Sequence, residues 1–158
     1  MTEPSTAPAH PSEVPPAGPH APFSPGWAAA FHAAIEGDAT YREAASGWKW
    51  PLALVMDAEP ALGFATAVGV EATLERGRSH GVRAVTDVGA VEAPFVLRGS
   101  YDTWKAVMRE GLDPVMAVAT GRLALERGAL TTLMLHTRSA RLLVELARQV
   151  PTRFPDEG

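Results

Sequence analysis

The stretch that most constrains the fold of this chain is residues 64–75, where apolar residues alternate with small or polar ones. Val68, Val70, Ala72 and Leu74 fall on one face of this pattern. A period of two with one apolar face is typical of a half-buried β-strand. A turn is expected at residues 77–81, and further strands are predicted at residues 50–57, 82–87, 93–98 and 123–126.

Helical spacing of apolar residues dominates on both sides of the strand-rich region. Helices are predicted at residues 24–37, 38–47, 101–111, 113–121, 129–136 and 139–150. Ser24, Ser100 and Asp113 are expected N-caps, and Thr137 or Ser139 is expected to cap the last helix. Strands grouped between helices favour an α+β fold, in which helices cover one face of a sheet, over alternating βαβ units.

The first 25 residues differ in composition from the rest of the chain. They hold eight of the fourteen prolines in 158 residues, together with Ala, Ser, Thr and Glu. Such a segment buries too little apolar surface to offset the entropy of ordering. We therefore expect residues 1–25 to form a disordered tail and residues 26–155 to form a single domain. The alternative for the tail is a proline motif that binds a partner.

Charge and composition exclude several classes of function. The formal net charge is −4 and no run of Lys and Arg is present, which argues against a nucleic-acid-binding surface. Without cysteine there is no disulfide or thiolate chemistry. The longest apolar run, residues 52–56, is too short to span a bilayer, and no signal-peptide pattern is present. We expect a cytoplasmic protein with no metal or organic cofactor.

Residues 93–128 contain the most informative series of turn-forming and helix-capping residues. Gly99 allows a sharp turn out of a strand, and Ser100 is placed to cap the following helix. Trp104 supplies a large apolar surface. Asp113 and Pro114 then open another helix, since proline loses no hydrogen bond at the first helical position.

This series resembles the domain of the sterol carrier protein type 2 family, whose members show a strand, a Gly-Ser turn, a Trp-containing helix, an Asp-Pro helix and a Gly-Lys/Arg strand in this order. The resemblance covers residues 64–128 well and the flanking regions weakly. Two positions depart from the pattern, because Ala129 follows Gly128 where the family often has an acidic residue, and Arg122 replaces the usual lysine. The matching residues are Phe95, Leu97, Gly99, Ser100, Trp104, Gly111, Asp113, Pro114, Gly121 and Leu123.

The resemblance implies a sheet of about five strands, mainly antiparallel, covered by helices that enclose an apolar tunnel. It implies a non-enzymatic protein that binds, and transfers, a fatty acid, fatty acyl-CoA, sterol-like molecule or other lipid. An apolar cavity is poorly hydrated and therefore favours an apolar guest. The residues expected to line it are Trp50, Leu54, Met56, Phe64, Val68, Val70, Phe95, Leu97, Trp104, Met108, Leu112, Met116, Leu130 and Met134.

Two other classes of function stay open at this point. The domain would act as an accessory module if it presented a hydrophobic substrate to a partner enzyme. The last helix is expected to close the core, and roles as a lid, as the surface of a homodimer or as a face that touches a membrane transiently stay open. A small enzyme is the third alternative, and it would require a polar residue with a shifted pKa inside the tunnel. The sequence identifies no such residue, but Asp57, Glu71 or His136 inside the tunnel would favour this alternative.

Polar residues near the expected tunnel have an alternative interpretation as ordinary surface groups. Lys49, between Trp48 and Trp50, would meet a ligand head group if these two aromatic residues rim an entrance. Arg98, Arg122 and Arg127 are further head-group candidates or simply solvated. Asp57 and Glu59 have the spacing of an acid–base pair but lie just before a proline turn. The histidines show no metal-ligand spacing.

Overall fold

The computed structural model describes residues 18–157, and its elements follow the predicted order. The α+β class is confirmed. The helices and strands are α1 Pro25–Glu36, α2 Ala39–Ala44, β1 Leu52–Met56, β2 Val68–Glu75, β3 Arg78–Val85, β4 Phe95–Gly99, α3 Tyr101–Glu110, α4 Pro114–Ala119, β5 Ala124–Arg127, α5 Leu130–Leu135 and α6 Thr137–Gln149.

The five strands form one sheet in the order β3-β2-β1-β4-β5. Strands β1, β2 and β3 are an antiparallel meander, and β5 pairs antiparallel with β4. The central pair β1 and β4 is parallel, with Leu54 opposite Leu97. The predicted five-stranded and mainly antiparallel sheet is therefore confirmed. A parallel neighbour requires a long crossover, which residues 86–94 provide.

The turn between β2 and β3 is shorter than predicted. Arg76 and Gly77 form it alone, with φ angles of 52° and 84°, and β3 already begins at Arg78. Positive φ at both central residues is the geometry of a type I′ hairpin, whose twist matches that of the strands. The predicted turn over residues 77–81 was wrong because the glycine at its first position completes a two-residue turn.

Three helices have the N-terminal side-chain caps that the sequence predicted. Ser24 accepts a hydrogen bond from the amide of Trp27 at 3.3 Å, and Ser100 accepts one from Thr103 at 3.1 Å. Asp113 accepts one from the amide of Met116 at 2.9 Å. Each cap satisfies an N–H that lacks a partner inside the helix.

The predicted cap of the last helix was wrong. Helix α6 begins at Thr137 directly after His136, and no side chain caps it. The hydroxyl of Thr137 donates to the carbonyl of Met134 at 2.7 Å, and that of Ser139 donates to the carbonyl of His136 at 2.9 Å. Both hydroxyls bond to the preceding turn, because α5 runs almost directly into α6.

The main core lies between one sheet face and the helices. Trp27 of α1 and Trp104 of α3 are fully buried there, and each indole N–H has a partner. Trp104 donates to the carbonyl of Val55 at 2.8 Å, and Trp27 donates to the hydroxyl of Thr152 at 2.8 Å. A smaller apolar cluster on the other sheet face is covered by the 86–94 crossover.

The packed part of the chain begins before the predicted domain boundary. Of the predicted tail 1–25, residues 1–17 lie outside the described residues, and residues 18–25 pack on the domain. Phe23 is only 2% exposed and makes edge-to-face contacts with Trp27 and Trp104 at centroid distances of 5.1 and 5.4 Å. A β-bridge also joins His20 to Thr152. Composition does not predict this contact, because a single phenylalanine packs an otherwise proline-rich segment onto the domain.

Candidate apolar cavity

An apolar cavity lies between the sheet and α6. Strands β1, β2 and β4 form its floor with leucines, and α6 covers it. Its volume is about 40 Å³, which is room for about three water molecules at 10–15 Å³ each. The residues that line it are Phe31, Tyr41, Trp48, Leu52, Leu54, Leu74, Leu97, Trp104, Val107, Met108, Pro114, Leu133, Ser139, Ala140, Leu143, Val144 and Ala147.

Local sequence explains why a hollow exists at this place. Helix α6 turns residues at spacings of three and four toward the sheet, and two of these, Ala140 and Ala147, are alanines. They face a floor on which Leu54 and Leu97 are paired across parallel strands. A methyl group on the helix reaches less far than the leucines that flank it, so the space above the floor is not filled.

Polar side-chain atoms of the wall have partners within the protein, with one exception. The indole N–H of Trp48 donates to the carbonyl of Trp50 at 2.6 Å, and Trp104 and Ser139 bond to backbone carbonyls as described above. The hydroxyl of Tyr41 has no hydrogen-bond partner among residues 18–157. Burial raises the pKa of Tyr41, so this hydroxyl is neutral at physiological pH.

Four of the fourteen residues predicted to line a tunnel lie in the cavity wall: Leu54, Leu97, Trp104 and Met108. Three others, Met116, Leu130 and Met134, are exposed. The remaining seven belong to the surrounding core without lining the cavity: Trp50, Met56, Phe64, Val68, Val70, Phe95 and Leu112.

Sequence reasoning missed the whole part of the wall that α1, α2 and α6 contribute. Phe31, Tyr41, Leu143, Val144 and Ala147 line the cavity. The apolar stripe of α6 was recognisable, but its role was then open between closing the core, acting as a lid and contacting a partner or membrane. Helical spacing shows which face of a helix is buried and does not show what lies opposite.

An aromatic cluster lies beside the cavity at the junction of α5 and α6. The rings of Trp48 and Trp50 meet at a centroid distance of 5.0 Å, and Phe95 and His136 lie 4.9 and 5.3 Å from Trp48. Trp48 is buried and lines the cavity, Lys49 is exposed and Trp50 is partly buried. His136 contacts this cluster and is not part of the cavity wall.

The candidate acidic residues lie away from the cavity. Asp57 accepts a hydrogen bond from Arg98 at 2.5 Å at a partly exposed strand end. Glu71 lies on the opposite sheet face, where it accepts a hydrogen bond from the amide of Ala93 at 2.8 Å. Glu59 pairs through its backbone with Phe64. No acid–base pair therefore reaches the interior of the described domain.

The three arginines proposed for a head group are also outside the wall. Arg98 is held by Asp57 and lies 3.9 Å from Glu126. Arg127 donates to the carbonyl of Val91 at 2.7 Å, and Arg122 is exposed. In residues 18–157 no group of three or more His, Asp or Glu side chains is arranged to hold a metal ion. None of the helices described there is long and apolar enough to cross a membrane.

Comparisons with known proteins gave matches among solved structures. No family model matches the chain, and no curated protein matches it. A crystal structure of sterol carrier protein 2 is 35% identical in sequence, with a TM-score of 0.77, over 82% of this chain and 98% of that one. The solution structure of a conserved hypothetical protein from Thermus thermophilus is 34% identical, with a TM-score of 0.76, over 83% and 90%.

Proposed function

The chain belongs to the sterol carrier protein 2 family, and from this premise we propose that it binds a lipid-like molecule in the cavity under α6 and carries it chemically unchanged. The observation that supports the proposal is the composition of the cavity wall. Apart from the Tyr41 hydroxyl, its polar atoms bond within the protein, so the surface offered to a guest is apolar. Such a surface holds water poorly, and covering it with an alkyl chain lowers the free energy.

The size of the cavity requires a movement when a guest enters. Pockets for ligands of drug size measure about 300–1,000 Å³, whereas this cavity measures about 40 Å³. The cavity of the described conformation is therefore too small for a long alkyl chain, which fits only after one wall moves outward. The floor resists such a movement, since the central strands β1 and β4 are hydrogen-bonded on both sides.

The junction of α5 and α6 is the part of the wall that we propose to move. Helix α5 has six residues and no side-chain cap, and α6 has no side-chain cap either. Leu133 lines the cavity, yet Leu135 of the same short helix is 83% exposed. A short helix without caps is held mainly by packing. Displacing it would open the cavity beside Trp48.

Chain length of the guest provides a quantitative test. Each buried methylene contributes about 0.8 kcal/mol, which is roughly fourfold in affinity. Association and the opening of the wall cost several kcal/mol, so short chains bind weakly. Calorimetric titration with fatty acids of eight to sixteen carbons should show affinity rising with length up to a plateau. Native mass spectrometry of gently purified protein should show a co-purified ligand of lipid mass.

A variant that fills the cavity separates binding inside from binding at the surface. Ala147→Leu places a larger side chain in the wall, whereas Ala106→Leu enlarges a buried alanine of α3 outside it. Overpacking costs about 1–3 kcal/mol, and less where a void exists. Ala147→Leu should abolish binding of dodecanoate, and Ala106→Leu should preserve it. Equal binding by both variants, or a wild-type protein that binds no fatty acid of any length, would exclude the proposal.

Several predictions from the sequence stay predictions. They are the absence of enzymatic activity and of a cofactor, the choice of natural lipid, the cytoplasmic location, and the role of a homodimer or partner enzyme. All fourteen residues that the sequence predicted for the ligand site stay predictions as well, including the four that line the cavity. An opened cavity would bring further core residues into contact with a guest.

A further inference from the structure

A second cavity lies on the surface next to the apolar one. The 111–114 loop between α3 and α4 forms one side of this polar cleft, and one face of α6 forms the other. Arg141, Val144, Glu145 and Arg148 lie on that face at spacings of three and four residues. The cleft has a volume of about 180 Å³ and is open to solvent.

The polar cleft and the apolar cavity share a wall. Pro114 and Val144 line both of them. Two apolar side chains thus separate a cleft that contains charged groups from an interior without them. A molecule with one charged end and one alkyl end would satisfy both environments at once, with its chain passing between Pro114 and Val144.

The two arginines of the polar cleft differ in how firmly they are held. Arg141 donates to Asp113 at 2.6 Å, and Asp113 also caps α4 through the amide of Met116. Burial acts to raise the pKa of Asp113, but the hydrogen bonds from Arg141 and Met116 outweigh it, and the pKa lies below its ordinary value. Asp113 therefore stays ionised and keeps Arg141 engaged.

Arg148 is the less firmly held of the two arginines. Its Nη1 donates to Glu145 at 3.0 Å, and its Nε lies 3.5 Å from the carbonyl of Met108. Its Nη2 donates to no group in residues 18–157. The pair with Glu145 spans three residues on an exposed helix face, where such pairs contribute little. A ligand carboxylate would displace Glu145 at low cost and bind the guanidinium through two parallel hydrogen bonds.

We propose that Arg148 binds the terminal carboxylate of an amphiphile in this polar cleft while the alkyl chain enters the cavity past Val144. The inference rests on the proposed function, since it names the head-group site of the same guest. The head group of the proposed guest is a single carboxylate. A neutral head group would gain less from a guanidinium than a carboxylate does, and the carboxylates of Asp113 and Glu145 oppose a head group of higher negative charge.

The test compares two guests with the same chain, sodium dodecanoate and 1-dodecanol, by calorimetric titration. Arg148→Met keeps an apolar stem and removes the charge. Arg138→Met makes the same change on the same helix, outside the cleft. We expect Arg148→Met to raise the Kd of dodecanoate about tenfold, the effect of one charged hydrogen bond, and to change that of 1-dodecanol less than twofold. Arg138→Met should change neither.

Glu145→Gln gives a result of opposite sign and does not depend on the stability of Arg148→Met. It removes the carboxylate that competes for Arg148, so the Kd of dodecanoate should fall a few-fold while that of 1-dodecanol is unchanged. Equal loss of both guests in Arg148→Met, or equal effects of Arg148→Met and Arg138→Met, would overturn the head-group site. Binding of 1-dodecanol would then still support the carrier function, whereas failure of both guests to bind wild-type protein would refute both proposals.

Discussion

Replacing Leu143 by alanine tests whether the cavity under α6 is the place where a guest binds. Leu143 is 6% exposed and lines the cavity. Leu146 on the same helix is 4% exposed, belongs to the core and does not line the cavity. The two substitutions remove the same atoms at the same depth, so they differ mainly in whether the space they create joins the cavity.

Both substitutions should destabilise the ligand-free protein to a similar extent. Three carbons at about 0.8 kcal/mol each account for about 2.4 kcal/mol. The void left behind adds to this, and buried leucine-to-alanine changes typically cost about 3–5 kcal/mol in total. Denaturant unfolding followed by circular dichroism measures this loss in the free energy of unfolding.

The two variants should differ when dodecanoate is present. In Leu143→Ala the guest can occupy the space of the removed carbons, and α6 covers the cavity less tightly. We expect its affinity for dodecanoate to rise by about 1 kcal/mol, roughly fivefold. Leu146→Ala should leave the affinity unchanged. Calorimetric titration measures both constants. If both variants gain affinity equally, or if Leu143→Ala binds more weakly than wild type, the guest does not contact this wall.

Three further predictions concern stability. Hydrogen bonds from Arg78 and from the amide of the residue after it lower the pKa of Glu36 to about 2. The stabilisation that ionised Glu36 gives to the folded state is therefore complete above about pH 4.5 and is lost as the pH falls through about 2. Glu36→Gln should therefore lose about 1 kcal/mol at pH 7, after allowance for solvent screening, and nothing near pH 2. Tyr101→Phe should lose about 1 kcal/mol with the hydrogen bond to the side-chain carboxylate of Asp156. Tyr41→Phe should lose almost nothing, because its hydroxyl has no partner among residues 18–157. Gly77→Ala should lose more than 2 kcal/mol, because its Cβ would overlap the backbone carbonyl oxygen of Arg42. Gly63→Ala should lose only about 1 kcal/mol, because its φ is positive but its Cβ would meet open space.

Denaturant unfolding at several pH values measures all of these changes. A Glu36→Gln variant that matches wild type at every pH would mean that the ion pair contributes nothing. A larger loss for Tyr41→Phe than for Tyr101→Phe would show that the hydroxyl of Tyr41 has a partner in solution. Equal losses for Gly77→Ala and Gly63→Ala would contradict the close approach of the β2–β3 turn to α2.

The order of the elements was predictable from the sequence because it depends on local chemistry. Alternation in residues 64–75 and helical spacing after Tyr101 report which face of each element is buried. The caps at Ser100 and Asp113 depend only on neighbouring amides. The cap of α6 could not be predicted in this way, because the hydroxyls of Thr137 and Ser139 bond to the preceding turn of α5.

The candidate site was only partly predictable. Leu54 and Leu97 were predicted to line a cavity, and they do lie in its wall, paired across β1 and β4. Met116 and Met134 have the same apolar character, yet they are exposed. The difference arises from how α4 and α5 pack against α6, which their own sequences do not specify.

By itself, the sequence determined the α+β class, the place of most helices and strands, and the pattern shared with the sterol carrier protein 2 family. Tertiary structure alone decided that a cavity of about 40 Å³ lies under α6 and that it shares a wall, formed by Pro114 and Val144, with a charged cleft. The physical reason is that periodicity and capping act over a few residues along the chain. A cavity is the volume left unfilled by side chains from several distant elements.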